Sequence, residues 1–195
     1  MADTATRTED VVDLLLVQHA RIEELFLLVT GGSGQARRRA FDELVRLLAV
    51  HETAEEELIH PLVRRLPGGG DDLVDDRLAE EREAKQALAV LVEQGVDAPG
   101  FEAAVVLLRE AVLEHARHEE RYEFNRLRQH VEPARLGRLA TALRAAEAVA
   151  PTRPHPGAES ALANVAAGPF LAVADRVRDA IRAVSAGGGP APDRR

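Results

Sequence analysis

The sequence predicts an all-α protein, an up-down-up-down antiparallel four-helix bundle with a C-terminal helical extension. Two features of the composition indicate this fold class. Strong helix formers dominate the 195 residues, and only 3% of the residues are aromatic, which argues against a β-sandwich or barrel. The third indication is the spacing of glycine and proline clusters, which divide the chain into long segments with helical apolar periodicity.

Four bundle helices are expected between these clusters. They cover Glu9–Val29, Gln35–Leu66, Asp71–Glu93 and Phe101–Val131. Their connections are short, which makes neighbouring helices antiparallel. A shorter helix is expected at about Ala134–Val149, so residues 1–150 are predicted to form the bundle domain together with this helix.

Residues 151–195 are expected to form a second region. The prolines between Pro151 and Gly157 predict an extended crossing segment. Apolar residues then recur at helical spacing from Phe170 to Val184, which predicts an amphipathic helix that packs on the bundle or on a second subunit. A homodimer is therefore one expectation, and the tail from Gly187 to Arg195 is expected to be disordered.

Charge and cysteine content exclude several classes of function. The chain has 25 basic and 33 acidic residues, a net charge of -8 that disfavours nucleic acid and anionic membranes as partners. Cysteine is absent, so disulfides, thiolate zinc sites and iron–sulfur clusters are excluded, and any metal must bind nitrogen and oxygen. The N-terminus lacks an apolar segment of signal-peptide length, which predicts a cytoplasmic protein.

Ionisable residues interrupt the apolar stripe of each bundle helix near its middle. They are His19, then His51 with Glu55, Glu81 with Lys85, and His115 with Glu119. Counted from the turns at about 1.5 Å per residue, these positions lie within roughly two helical turns of one level. The spacing therefore predicts a single site shared by four helices.

The residue types at this level predict bound cations. Buried carboxylates are costly without partners, so several of them in an apolar core need positive charge. The pairs His51–Glu55 and His115–Glu119 each place an imidazole and a carboxylate one helical turn apart on the same face. So many ligands exceed the needs of one tetrahedral zinc and fit two octahedral first-row ions better.

Four segments of the chain resemble the hemerythrin-like HHE cation-binding family. They are QHARIEELF at 18–26, HETAEEELIHP at 51–61, EEREAK at 80–85 and HARHEERYEF at 115–124. The resemblance extends from about Asp10 to Val131 and implies a non-haem di-iron centre inside the bundle. It also implies that His19 and His51 hold one iron, that His115 holds the other, and that Glu55 and Glu119 bridge the two.

The third helix departs from the family pattern. Family members usually have a histidine where Glu81 stands, and hemerythrins have a second one where Lys85 stands. We expect Glu81 to replace the missing histidine as a ligand, and Lys85 either to neutralise it or to extend into solvent. Glu23 is a further candidate ligand, and its alternative is a surface ion pair with Arg21 or a neighbouring helix.

Three other polar residues near the motifs have alternative placements. Tyr122, one turn after Glu119, is a candidate to hydrogen-bond a bound oxygen species, with core packing as the alternative. His60 lies nine residues after His51 and is expected on the opposite, exposed face. His118 is expected either behind His115 or on an exposed flank.

The leading hypothesis is a protein with two iron ions that binds or reduces oxygen, peroxide or nitric oxide, with manganese as the alternative metal. Its carboxylate-rich ligand set resembles that of ferritin-like oxidases more than that of a reversible oxygen carrier. Two alternatives stay open. The first is a di-iron oxidase, oxygenase or peroxidase- or catalase-like enzyme, and a pocket that reaches the metals favours an organic substrate. The second is a metal- or redox-sensing module that signals through the C-terminal helix.

Overall fold

The computed structural model describes residues 9–68, 70–150 and 168–187, and the regular secondary structure of these residues is helical throughout. The helices are α1 (Val11–Gly31), α2 (Gly34–Ala54), α3 (His60–Val63), α4 (Asp71–Gln94), α5 (Phe101–His118), α6 (Asn125–His130), α7 (Pro133–Val149) and α8 (Gly168–Gly187). A first π turn, Glu55–Ile59, joins α2 to α3, and a second π turn, Glu119–Phe124, joins α5 to α6. The predicted all-α bundle is confirmed.

Local chemistry explains where the helices begin. The Asp10 side chain accepts a hydrogen bond from the backbone N–H of Asp13, and the Asp13 side chain accepts one from Asp10, each at 3.0 Å. Such reciprocal capping stabilises a helix start by about 1 kcal/mol. Gly100 precedes α5 with a φ of 84°, a left-handed conformation that glycine adopts without strain.

The bundle is formed by α1, α2 with α3, α4, and α5 with α6. Helix α1 packs on α2 and α5, and α4 packs on α5. Helix α7 packs on α1, and α8 packs on α2 and α7. The predicted amphipathic helix is therefore present as α8, and it buries Val173, Val177 and Ile181. The predicted crossing segment at 151–157 and the tail after residue 187 lie outside the described residues.

Two apolar clusters fill the interior at opposite ends of the bundle. One contains Val11 to Leu15 of α1, the end of α2, and residues of α6, α7 and α8. The other contains Ile22 to Val29 of α1 together with the outer ends of α2, α4 and α5. Between them lies a layer of buried ionisable side chains, at the one level that the sequence predicts. Among the described residues, no helix is both long and apolar enough to cross a membrane.

Candidate metal centre

Three buried histidines are oriented by hydrogen bonds behind their rings. The Nδ1 atoms of His19, His51 and His115 lie 2.8, 2.8 and 3.0 Å from oxygens of Glu120, Gln18 and Glu80, respectively. When these oxygens accept the Nδ1 protons, the lone pairs on the Nε2 atoms are directed into the bundle. This is the tautomer in which histidine binds a metal ion.

The inward Nε2 atoms meet one another and two glutamates. The Nε2 atoms of His19 and His51 are 3.1 Å apart, and the Nε2 of His51 is 3.2 Å from Oε1 of Glu55. Metal–nitrogen and metal–oxygen bonds of about 2.1 Å at right angles put neighbouring ligand atoms about 3 Å apart. These separations therefore fit atoms that share an ion.

The cluster divides into two groups that are joined by carboxylates. One group is His19, His51, Glu55 and Glu119, and the other is Glu55, Glu81 and His115. Glu55 belongs to both groups. Glu119 reaches both as well, because its Oε2 lies 3.4 Å from Nε2 of His19 and its Oε1 lies 3.4 Å from Nε2 of His115.

Burial makes this layer electrostatically unfavourable without cations. Glu55 is fully buried, and neither of its oxygens receives a hydrogen bond of good geometry. Burial, reinforced by the charge of Glu119, raises the pKa of Glu55 well above its usual range. The pKa of Glu119 is lowered, because the neighbouring His115 and His19 outweigh the effect of its burial.

His115 adds to this picture of a site built for positive charge. Burial lowers the pKa of His115, but the neighbouring Glu119, Glu52 and Glu81 together raise it by more, so that it reaches about 10. Metal-free, the layer therefore holds protons where a cation is expected to bind. Fully buried, unpaired carboxylate oxygens beside inward imidazole nitrogens form a donor set that fits hard or borderline metal cations.

Comparison with known proteins agrees with this geometry. The family model for the hemerythrin HHE cation binding domain matches residues 10–127, more than half of the chain. The chain belongs to the hemerythrin HHE cation-binding domain family. Domains of this family bind metal cations, and the buried groups of this HHE domain supply nitrogen and oxygen donors for them.

The chain is also similar to two individual proteins, to one in its fold and to the other in its sequence. A crystal structure of a hemerythrin HHE cation binding domain-containing protein from Mycobacterium kansasii superposes with a TM-score of 0.67 at 21% identity, covering 85% of this chain and 99% of that one. This likeness supports the fold alone. A protein named DNA nickase, from Nostoc sp. (strain PCC 7120), is 28% identical over 139 residues, which are 71% of this chain but only 39% of that protein's length.

The HHE domain brings together six of the seven predicted ligands, and Glu23 is the exception. Glu23 is 52% exposed, and its Oε1 lies 3.4 Å from the guanidinium of Arg109 on α5. Its neighbours on α1 explain this position, because Ile22 and Phe26 fill the interior face on either side of it. Glu23 therefore forms the surface ion pair that was its alternative assignment.

The π turns overturn two other expectations. His60 was expected at the surface but is 3% exposed, and Tyr122 was a candidate near the ligands but is 44% exposed. In the first π turn the backbone N–H of His60 bonds to the carbonyl of Glu55, five residues earlier. This extra residue in the turn rotates His60 inward. The second π turn similarly turns Tyr122 outward and buries Glu123.

Lys85 and His118 both contact glutamates of the buried layer. Lys85 contacts the centre rather than extending free into solvent: its Nζ donates to Oε2 of Glu81 at 3.1 Å and also binds Glu56. His118 is half-buried behind His115, and its Nδ1 lies 3.2 Å from Glu80, the glutamate that also holds His115.

Several polar residues of the layer were not predicted. They are the buried Glu52 and Glu123 and the orienting residues Gln18, Glu80 and Glu120. The pKa of Glu52 is raised to about 8 by burial and by the charge of Glu81. Their sequence positions indicate them, because four of the five directly precede or follow a predicted ligand. Glu123 follows Glu119 by four residues, the spacing already used for the HxxxE pairs.

Proposed function

We propose that this protein holds two iron ions in the HHE domain and binds or reduces oxygen, peroxide or nitric oxide there. The observation that supports a pair of ions is the division of Glu119 between two histidine groups, with Glu55 common to both. A single ion leaves one of these groups unpaired. Manganese has the same preference for nitrogen and oxygen donors and is the alternative metal.

The ligand set follows from these groups. His19 and His51 would hold the first ion, His115 and Glu81 would hold the second, and Glu55 and Glu119, which reach both groups, would be shared between the two. Iron held there would supply electrons to the small ligand. The protein's own contribution is to hold the imidazoles in the binding tautomer and to exclude bulk water with the apolar clusters on both sides of the layer.

Metal analysis tests this proposal. Protein purified without oxygen and loaded with Fe²⁺ is expected to retain two iron ions per chain after desalting. Glu119→Ala is expected to retain one ion or none, whereas Glu23→Ala, which changes a surface glutamate of the same bundle, is expected to retain two. Wild-type protein that is folded and retains no iron or manganese contradicts the proposal.

The ligand is tested on the reduced, iron-loaded protein. Addition of nitric oxide or peroxide is expected to change its optical spectrum, and peroxide is expected to be consumed. A spectrum unchanged by oxygen, peroxide and nitric oxide contradicts this part of the proposal while leaving the metal count intact.

An oxidase for an organic substrate is the second candidate, because an open groove of about 520 Å³ between α4 and α5 reaches His115. Small and apolar side chains line most of it, including Ala84, Ala87, Leu91 and Ala111. Ala87→Trp, which fills this groove, is expected to abolish turnover of a bulky apolar substrate while peroxide consumption persists. Equal loss of both activities contradicts a separate role for the groove.

We do not extend DNA cleavage from the Nostoc protein to this chain. The net charge of -8 opposes binding to a phosphate backbone, and the similarity covers a minor part of that protein. A cytoplasmic location stays a prediction from the sequence.

A further inference from the structure

His60 is a buried histidine that the proposed ligand set leaves without a role. The first π turn rotates it into the layer beside α4. Its Nε2 lies 2.6 Å from Oε1 of Glu81, and its Nδ1 lies 3.5 Å from Oε2 of Glu123. Glu123 is fully buried, and its Oε2 faces the His60 ring at this distance.

Glu81 is harder to hold in one conformation than the histidine ligands. It stands where the family usually has a histidine. A glutamate side chain has an additional rotatable bond and loses more conformational freedom when it is fixed. In this structure both Glu81 oxygens are held, Oε1 by His60 and Oε2 by the ammonium of Lys85 at 3.1 Å.

The arrangement repeats, for a carboxylate ligand, what Glu80, Gln18 and Glu120 do for the histidines. Ligand carboxylates are themselves hydrogen-bonded by neighbouring groups, and removing such a partner typically weakens metal binding about 10- to 100-fold. His60 is in turn oriented by Glu123, so the chain of contacts runs from the second π turn through His60 to Glu81.

We propose that His60, oriented by Glu123, is the positioning residue of Glu81 and thereby sets the affinity of the second ion. This inference rests on the proposed function, because it assigns Glu81 to that ion. The chemistry required of His60 is hydrogen-bond donation from Nε2. It needs no direct contact between His60 and the ion.

Two amide substitutions separate this role from others. The amide nitrogen of glutamine occupies about the position of the histidine Nε2, whereas that of asparagine occupies about the position of Nδ1. His60→Gln therefore keeps a donor within reach of Glu81, and His60→Asn does not. His60→Leu removes the donor but keeps an apolar side chain of similar size, and His130→Leu changes an exposed histidine as the matched control.

The experiment is an anaerobic titration of the metal-free full chain with Co²⁺, whose visible absorption reports each bound ion. Wild type and His130→Leu are expected to bind two ions. In His60→Leu and His60→Asn the first ion is expected to bind as in wild type and the second about 10- to 100-fold more weakly. His60→Gln is expected to recover most of this loss. Far-UV circular dichroism of the metal-free variants checks folding, and the Gln and Asn pair suffices where the Leu variant does not fold.

Three results overturn the inference. Unchanged binding of both ions by His60→Asn shows that His60 does not position Glu81. Equal losses in His60→Gln and His60→Asn show that donation from Nε2 is not its role. Wild type that binds no Co²⁺, Fe²⁺ or Mn²⁺ overturns the proposed function as well, and the wild-type titration alone identifies that case.

Discussion

Replacing Glu55 with leucine is expected to stabilise the metal-free protein while it abolishes stabilisation by metal. Glu55 is fully buried, and neither of its carboxyl oxygens receives a hydrogen bond of good geometry. An unsatisfied buried polar group costs about 1–3 kcal/mol, and Glu55 also lies against a second buried carboxylate, Glu119, whose charge opposes its ionisation. Leucine has a similar volume and removes this penalty, so we expect a gain of about 2 kcal/mol.

The magnitude is measurable by thermal unfolding. For a chain of this size about 1 kcal/mol moves Tm by roughly 2–4 °C, so metal-free Glu55→Leu is expected to melt roughly 4–8 °C above metal-free wild type. A metal ion at 100 times its Kd stabilises the native state by about 2.7 kcal/mol. This increment is expected in wild type and is expected to be absent or much reduced in Glu55→Leu.

The assay compares four melts, wild type and variant, each with chelator and with Fe²⁺ or Mn²⁺. Glu23→Leu is the control, because it makes the same chemical change at an exposed position and is expected to alter Tm little in either condition. A Glu55→Leu protein that is less stable than wild type without metal refutes the electrostatic argument. One that gains as much stability from metal as wild type refutes the assignment of Glu55 to the centre.

Three further predictions follow from the same layer. Glu80→Ala releases the Nδ1 of His115 and is expected to weaken metal binding about 10- to 100-fold in a chelator competition, whereas Glu83→Ala on the same helix leaves it unchanged. The pKa values of His115, about 10, and His60, about 9, exceed the unfolded value of about 6.5, so the metal-free protein is expected to lose stability to urea as pH rises from 6.5 to 10. Over the same range metal affinity is expected to rise, because the ion displaces protons. Stability and metal affinity that do not change with pH contradict this prediction. The Nε of Arg178 on α8 donates to the side chain of Glu57, a residue of the first π turn, at 2.7 Å. Because this contact joins α8 to the segment that carries Glu55, metal loading is expected to slow amide hydrogen exchange in α8, and Arg178→Ala is expected to reduce this effect.

The fold was predictable because helical periodicity and breaker residues act locally. Helices α1, α4 and α7 begin or end within about two residues of their expected bounds, since Asp10, Gly70 and Pro133 start them in the structure as their chemistry predicts. The height of the site was predictable for the same reason, because α-helical rise is constant along His19 to Val29 and along Asp71 to Glu81. The sequence does not distinguish packing of α8 against α2 and α7 from a contact with a second subunit.

The wrong predictions for His60 and Tyr122 have a common cause, the two π turns. A count at α-helical spacing puts His60 opposite His51 and puts Tyr122 on the stripe of Glu119. Each π turn inserts one residue, which shifts every later side chain on that helix, and the choice between α and π turns depends on tertiary contacts that the sequence pattern does not contain. The prediction for Glu23 was wrong for a different reason. A position one turn from a ligand satisfies the spacing whether its side chain faces the interior or, as here, Arg109 at the surface.

Both π turns begin at the glutamate of an HxxxE pair, Glu55 in one case and Glu119 in the other. A π turn is rarer than an α turn and persists where surrounding contacts stabilise it, which is often at a functional site. Here the two inserted residues bring Nδ1 of His60 on one helix to within 3.5 Å of Oε2 of Glu123 on another. An α-helical continuation of both helices rotates His60 and Glu123 away from this meeting point and leaves Oε1 of Glu81 without its donor. The two π turns therefore place His60, backed by Glu123, against the glutamate of α4 that stands where the family usually has a histidine.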